Sequence, residues 1–212
     1  GEAVATGFLA VLGQVIAMFY AGIGWDGRMD AGQSVVIREV IPGLPPGTPL
    51  QEAYDRIHFT AEFYGILIPQ LGDLLHFAAT RDSTLLTLNE LATYRWQGLA
   101  SILVFAAAMG SLAIAVGLAL RSRLAGTFTW ALTMTTPMLF GMSYINIKDL
   151  PVAAGLTMVS AGLIVAWVGL STPIRWWLGG SFLVLGSCMG IASRPGFWPV
   201  FGFLTLATLT LL

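Results

Sequence analysis

Charge is clustered along this 212-residue chain, and six stretches contain no Asp, Glu, Lys or Arg: 3–25, 96–120, 124–147, 150–174, 176–193 and 195–212. A helix needs roughly 20 apolar residues to cross the hydrocarbon core, with a lower limit near 17. Each run meets that limit. The pattern therefore predicts an all-α integral membrane protein with about six transmembrane helices. The whole-chain figures agree: 10% of residues are charged and mean hydropathy is +0.79, against about 25% charged in soluble domains. A net charge of -1 makes no electrostatic case for nucleic acid. The single cysteine, Cys188, excludes an intramolecular disulfide and argues against a cysteine-based metal site.

The chain reads as one transmembrane domain over 1–212, with a first span in 1–25, an outer loop over 26–95 and five further spans over 96–212. The first run is too long for the core of a secretory signal and is read as a retained helix. Residue 1 is Gly, and the last run stops at Leu211-Leu212 without a polar cap, which leaves a longer parent protein open. Within the loop, Pro42, Pro45, Pro46 and Pro49 with Gly43 and Gly47 divide the backbone into short pieces. The piece Ser34 to Ile41 reads as an amphipathic helix lying in the interface. The segment 59–79 is apolar but carries Glu62, Pro69, Gln70, Asp73 and His76. A carboxylate at mid-membrane costs roughly 2.5–3.5 kcal/mol, so 59–79 is predicted to lie in plane or re-enter.

The positive-inside bias tests that choice. If 59–79 does not span, Arg121, Arg123 and Arg175 share one side, and Asp26, Asp30, Lys148, Asp149 and Arg194 share the other. Short Arg-bearing loops belong in the cytoplasm, so the mixed-charge residues face outward. Small residues such as Gly155, Gly162, Gly179, Gly180 and Gly186 predict close helix packing. Trp176, Trp177 and Trp198 read as interface anchors.

Asp26 and Asp30 stand where the first span reaches water, in Gly24-Trp25-Asp26-Gly27-Arg28-Met29-Asp30. A carboxylate can take a proton from a hydroxyl, and a fixed cation can hold an anionic leaving group. Asp26, Asp30, Lys148, Asp149 and Arg194 together could thus handle a phosphate-bearing substrate. Each also has a plainer reading: solvated helix ends for the two aspartates, a surface ion pair for Lys148 and Asp149. Arg95 at the start of the second span could simply snorkel to the interface. His58 and His76 lack metal-ligand spacing and read as local hydrogen-bonding residues.

The segments Tyr94-Arg95-Trp96-Gln97-Gly98, Arg121-Ser122-Arg123-Leu124-Ala125-Gly126, Thr136-Pro137-Met138-Leu139-Phe140-Gly141 and Asn146-Ile147-Lys148-Asp149-Leu150-Pro151, with Glu62-Phe63-Tyr64-Gly65 and Arg194-Pro195-Gly196, occur in a recognisable order. That order resembles the membrane module of GT-C glycosyltransferases, specifically bacterial relatives of protein O-mannosyltransferase and aminoarabinose transferase. The resemblance covers roughly residues 10 to 205. It implies sugar transfer from a polyprenyl-phosphate donor to an acceptor hydroxyl, on the outer face of a bacterial plasma (inner) membrane. Asp26 and Asp30 are then the catalytic candidates, and Lys148, Asp149, Arg194, Arg95 and His58 the candidates for substrate and phosphate binding. Many relatives have an Asp-Glu pair where this chain has WDGRMD, which leaves the choice between Asp26 and Asp30 open. Relatives are also longer, with further spans and often an outer domain. Metal dependence stays open; no metal-binding residues stand out. Another reading is a non-catalytic GT-C-like subunit packed in a larger membrane complex. A transporter would want polar residues in mid-span, and runs 96–120 and 150–174 offer almost none.

Overall fold

The computed structural model describes residues 2–20, 67–81, 90–145, 149–169, 172–193 and 202, and among these the chain is helical with no strand. Its elements are α1 (Glu2–Tyr20), α2 (Leu67–Thr80), α3 (Glu90–Ala119), α4 (Arg123–Thr135), α5 (Pro137–Ile145), α6 (Leu150–Val168) and α7 (Pro173–Ser193). Four stretches are long and apolar enough to cross a membrane: Glu2–Tyr20, Tyr94–Ala119, Leu150–Val168 and Pro173–Ser193. These agree with a multi-pass membrane protein. Their outward faces are apolar too, as with Leu12, Ile16, Trp177 and Val184, which suits a lipid solvent and not water.

Short connections set the directions. After α3, Arg121 adopts a left-handed conformation (φ 50°). Ser122 N–H then donates to Gly117 O at 2.9 Å and Arg121 N–H to Leu118 O at 3.3 Å. These two bonds close the helix end and turn the chain back. Ser122 also caps α4, its Oγ accepting from Ala125 N–H at 3.2 Å. The two helices touch closely, and a Cβ on Gly126 would lie 2.8 Å from Ala113 O. Between α6 and α7, Gly169 O accepts from Thr172 N–H at 2.8 Å, and Pro173 opens α7.

Within the run 124–147, expected as one span, the described residues form two helices. Thr136 between α4 and α5 takes an extended conformation (φ -61°, ψ 119°), as a residue before proline tends to do. Pro137 has no N–H to continue the ladder and its ring crowds the preceding turn. Counting charges could not register a backbone effect of this kind. Threonine hydroxyls add second bonds to carbonyls of the last turns of α4: Thr136 Oγ1 donates at 2.7 Å to Leu132 O, which also accepts from Thr136 N–H at 3.0 Å, and Thr133 Oγ1 donates to Thr129 O at 2.8 Å. Thr136 O still accepts from Phe140 N–H at 2.8 Å.

Contacts between the helices give their relative directions. α1 and α3 are antiparallel, since Phe19 meets Arg95 while Val4 and Phe8 line a common groove with Gly110 and Gly117. α3 and α6 are parallel: Ala100 and Val104 share a core with Leu150 and Ala154, and Ala115 packs with Ala161 and Val165. The α4–α5 pair therefore carries the chain from the end of α3 back to the opposite end of the bundle, where α6 begins. α6 and α7 are antiparallel, in contact along their length through glycines. A Cβ on Gly155 would lie 2.7 Å from Gly186 O, and one on Gly162 would lie 2.8 Å from Gly179 O. Without side chains the two backbones approach closely enough to exclude lipid between them. Gly180, expected among these packing residues, has nothing within 4 Å of its Cβ position among the described residues.

Candidate functional site at one end of the bundle

These directions sort the helix ends into two groups. Glu2, Arg121, Arg123 and Arg175 stand at one end. The end of α1, the first turns of α3, the start of α6 and the end of α7 stand at the other, with Arg95 and Asp149. Of the residues singled out in the sequence, Asp26, Asp30, His58, Lys148 and Arg194 lie outside the described residues, as do 34–41 and most of 195–212.

Arg95 is fixed by α1. Its Nη2 donates to Phe19 O at 3.3 Å, and its guanidinium carbon lies 5.2 Å from the centre of the Phe19 ring. The last carbonyls of a helix have no partner within it and carry the negative end of its dipole. A guanidinium there answers both needs, so Arg95 ties the end of α1 to the start of α3. The Arg95 Nε is buried and makes no hydrogen bond to any described residue. That leaves a donor at this junction for a further acceptor. Arg95→Ala is expected to cost about 1.5–3 kcal/mol for the charged hydrogen bond, discounted because this bond is solvent-exposed. Arg95→Lys should recover part of it. Thermal unfolding of the detergent-solubilised variants checks this, and equal melting of Arg95→Ala and the parent would remove the clamp.

Asp149 is exposed and precedes α6 at its N-cap position, with Pro151 in the first turn. Its carbonyl accepts from Ala153 N–H at 3.0 Å, and its side chain makes no cap hydrogen bond. A negative charge favours that position beside the helix N-terminus.

α2 packs across the beginning of α3. A Cβ on Gly72 would lie 2.9 Å from Gln97 N, so only glycine lets the two backbones meet. The crossing sets the His76 ring edge-on to Trp96, with centroids 5.5 Å apart. Thr80 Oγ1 lies 3.4 Å from His76 Nε2. His76 is therefore engaged locally, and no group of three or more His, Cys, Asp or Glu capable of holding a metal occurs among the described residues.

Sequence reasoning passed over the polar residues inside the bundle. Gln14, Gln97 and Ser101 are fully buried. Neither amide atom of Gln14 nor the Ser101 hydroxyl bonds to any described residue. Counting from the Phe19–Arg95 contact along two antiparallel helices puts Gln14 and Ser101 at one depth. A lone amide in an otherwise apolar run was the available signal for Gln14, since burying an amide without a partner is costly. Set against known proteins, the chain matches no family model, no curated protein and no solved structure.

Proposed function

We propose that this chain is a membrane glycosyltransferase, or the amino-terminal module of one, transferring a sugar from a polyprenyl-phosphate donor to an acceptor hydroxyl at the outer membrane surface. One observation carries the reading. The helix that leads into Asp26 and Asp30 ends beside Arg95, at the same end of the bundle from which Asp149 starts α6 and at which α7 stops before Arg194. Arg95 and Asp149, distant in sequence, lie at that end of the bundle, and the chain runs from α1 toward Asp26 and Asp30 and from α7 into Arg194; this supports a site that gathers acidic and cationic groups there. A polyprenyl donor suits such a site because its tail stays in the bilayer while its phosphate and sugar reach the loops. In this reading α1, α3, the α4–α5 pair, α6, α7 and 195–212 cross the membrane. α2 spans only about 21 Å at ~1.5 Å per residue, with Asp73 and His76 in it, and lies in plane.

In the mechanism, Asp26 takes the acceptor proton as the hydroxyl oxygen attacks the anomeric carbon. Lys148 and Arg194 stabilise the polyprenyl phosphate that leaves. Lys148→Ala and Arg194→Ala are expected to weaken donor use by about 10- to 150-fold, equivalent to the roughly 1.5–3 kcal/mol of a charge-assisted contact. Turnover against donor concentration in proteoliposomes measures this. Matching losses of protein level and activity would make both residues structural ion-pair partners.

The topology has its own test. In a Cys188→Ala background, single cysteines at Gly32 and Asn146 should react with an impermeant maleimide from outside, and one at Ser122 only after permeabilisation. Labelling of Ser122→Cys in intact cells would invert the orientation and remove the shared outer site.

A further inference from the structure

A groove of about 570 Å³ opens on the side of the bundle where α1, α3 and α4 meet, at the end opposite the proposed catalytic face. Phe8 and Trp130 form its inner limit, with ring centroids 6.5 Å apart in an edge-on arrangement. Gly110, Ile114 and Leu118 form one long wall, and Arg123 stands at the mouth. From Arg123 to Trp130 the groove runs about 10 Å at ~1.5 Å per helical residue. That is a length suited to the upper part of an acyl chain. The close approach of α3 and α4 at Gly117 and Gly126 closes its floor, with a Cβ on Gly117 3.5 Å from Gly126 Cα.

The lining is apolar apart from Thr127, whose hydroxyl donates to Leu124 O at 3.1 Å, and Arg123, its one charged residue among those described. Arg123 is exposed, as is Arg121 two residues before it. Among the described residues no carboxylate hydrogen-bonds to Arg123. An Arg at the membrane surface beside an apolar slot matches a molecule with an anionic head and a hydrocarbon tail. Membrane-surface cations also gain from anionic lipid, by about 1 kcal/mol per Lys or Arg.

We propose that this groove is a binding site for an anionic glycerophospholipid, one acyl chain lying along α3 and α4 against Phe8 and Trp130 and its phosphate held by Arg123. The site is independent of the sugar-transfer reading, because it lies at the other end of the bundle and uses none of its residues.

The test places the full chain in nanodiscs of equal phosphatidylglycerol and phosphatidylcholine, extracts it gently and counts retained lipid by native mass spectrometry. Phosphatidylglycerol should be retained several-fold over phosphatidylcholine. Arg123→Gln should lower that retention at least fivefold, whereas Arg123→Lys should keep most of it. Ile114→Trp, which fills the groove from a position 44% exposed, should lower retention of both lipids while eluting as a folded monomer. Equal retention of the two lipids by the parent chain would overturn the proposal. So would unchanged retention in Arg123→Gln, or loss in Arg123→Lys equal to that in Arg123→Gln. Disulfide cross-linking between chains through Ile114→Cys would assign the groove to a second copy instead.

Discussion

Asp26→Asn is expected to lower sugar transfer by about 10²–10⁴-fold, the range supplied by a positioned general base, with expression and donor binding unchanged. Asparagine keeps the shape and hydrogen-bonding reach of aspartate and removes only its capacity to accept a proton. Asp26 is the first acid after α1, and the Arg95 contact to Phe19 O fixes where that helix ends. A base so close to an anchored helix end needs less additional ordering than one farther along the loop. Asp30→Asn should therefore have the smaller effect. Turnover of a polyprenyl-phosphate sugar in a reconstituted system measures both. If Asp30→Asn is inactive and Asp26→Asn is not, the two residues exchange roles; if both remain active, sugar transfer at this site is refuted.

The second large effect concerns stability. Gly155→Ala and Gly186→Ala should each destabilise the fold by about 1–3 kcal/mol, the usual cost of overpacking a filled interior. Gly155→Leu should prevent α6 and α7 from docking. A Cβ on Gly186 would lie 2.6 Å from Gly155 O and 2.8 Å from Val159 N. These obstacles are backbone atoms, which cannot swing aside as a side chain can, so the helices must separate along their shared length. Gly180→Ala supplies the control, because its Cβ position meets nothing within 4 Å. Thermal unfolding in detergent should rank Gly155→Leu as least stable, the two alanine variants at Gly155 and Gly186 next, and Gly180→Ala near the parent. Near-parental melting of Gly155→Leu would mean that the α6–α7 contact contributes little.

The difference between Gly155 and Gly180 also marks the limit of reading small residues from a sequence. Both glycines lie in apolar runs, but only the packing of α6 on α7 decides which one faces a backbone. Gln14 makes the same point from the polar side. Its position in an apolar run was visible, yet its complete burial follows from sharing one helical stripe with Gly7, Ala10 and Met18. That stripe became the inner face only once α3 and α4 packed on it.

By itself the sequence determined that the chain is helical among its described residues, and roughly where four helices long and apolar enough to cross a membrane lie. The reason is that the cost of a charge in hydrocarbon is paid residue by residue, so the absence of charge can be counted locally. It also marked Arg95 and Asp149 as residues at helix ends. Tertiary structure alone decided that Arg95 clamps the end of α1 and that α3 and α6 run parallel. The clamp depends on where a carbonyl distant in sequence comes to rest. Helix directions depend on which faces meet. The break at Thr136 was in the sequence as Pro137, which lacks the N–H that continues the ladder, but a count of charges does not register it. The clamp and the helix directions are not properties of one segment, because each arises when two segments share the same space.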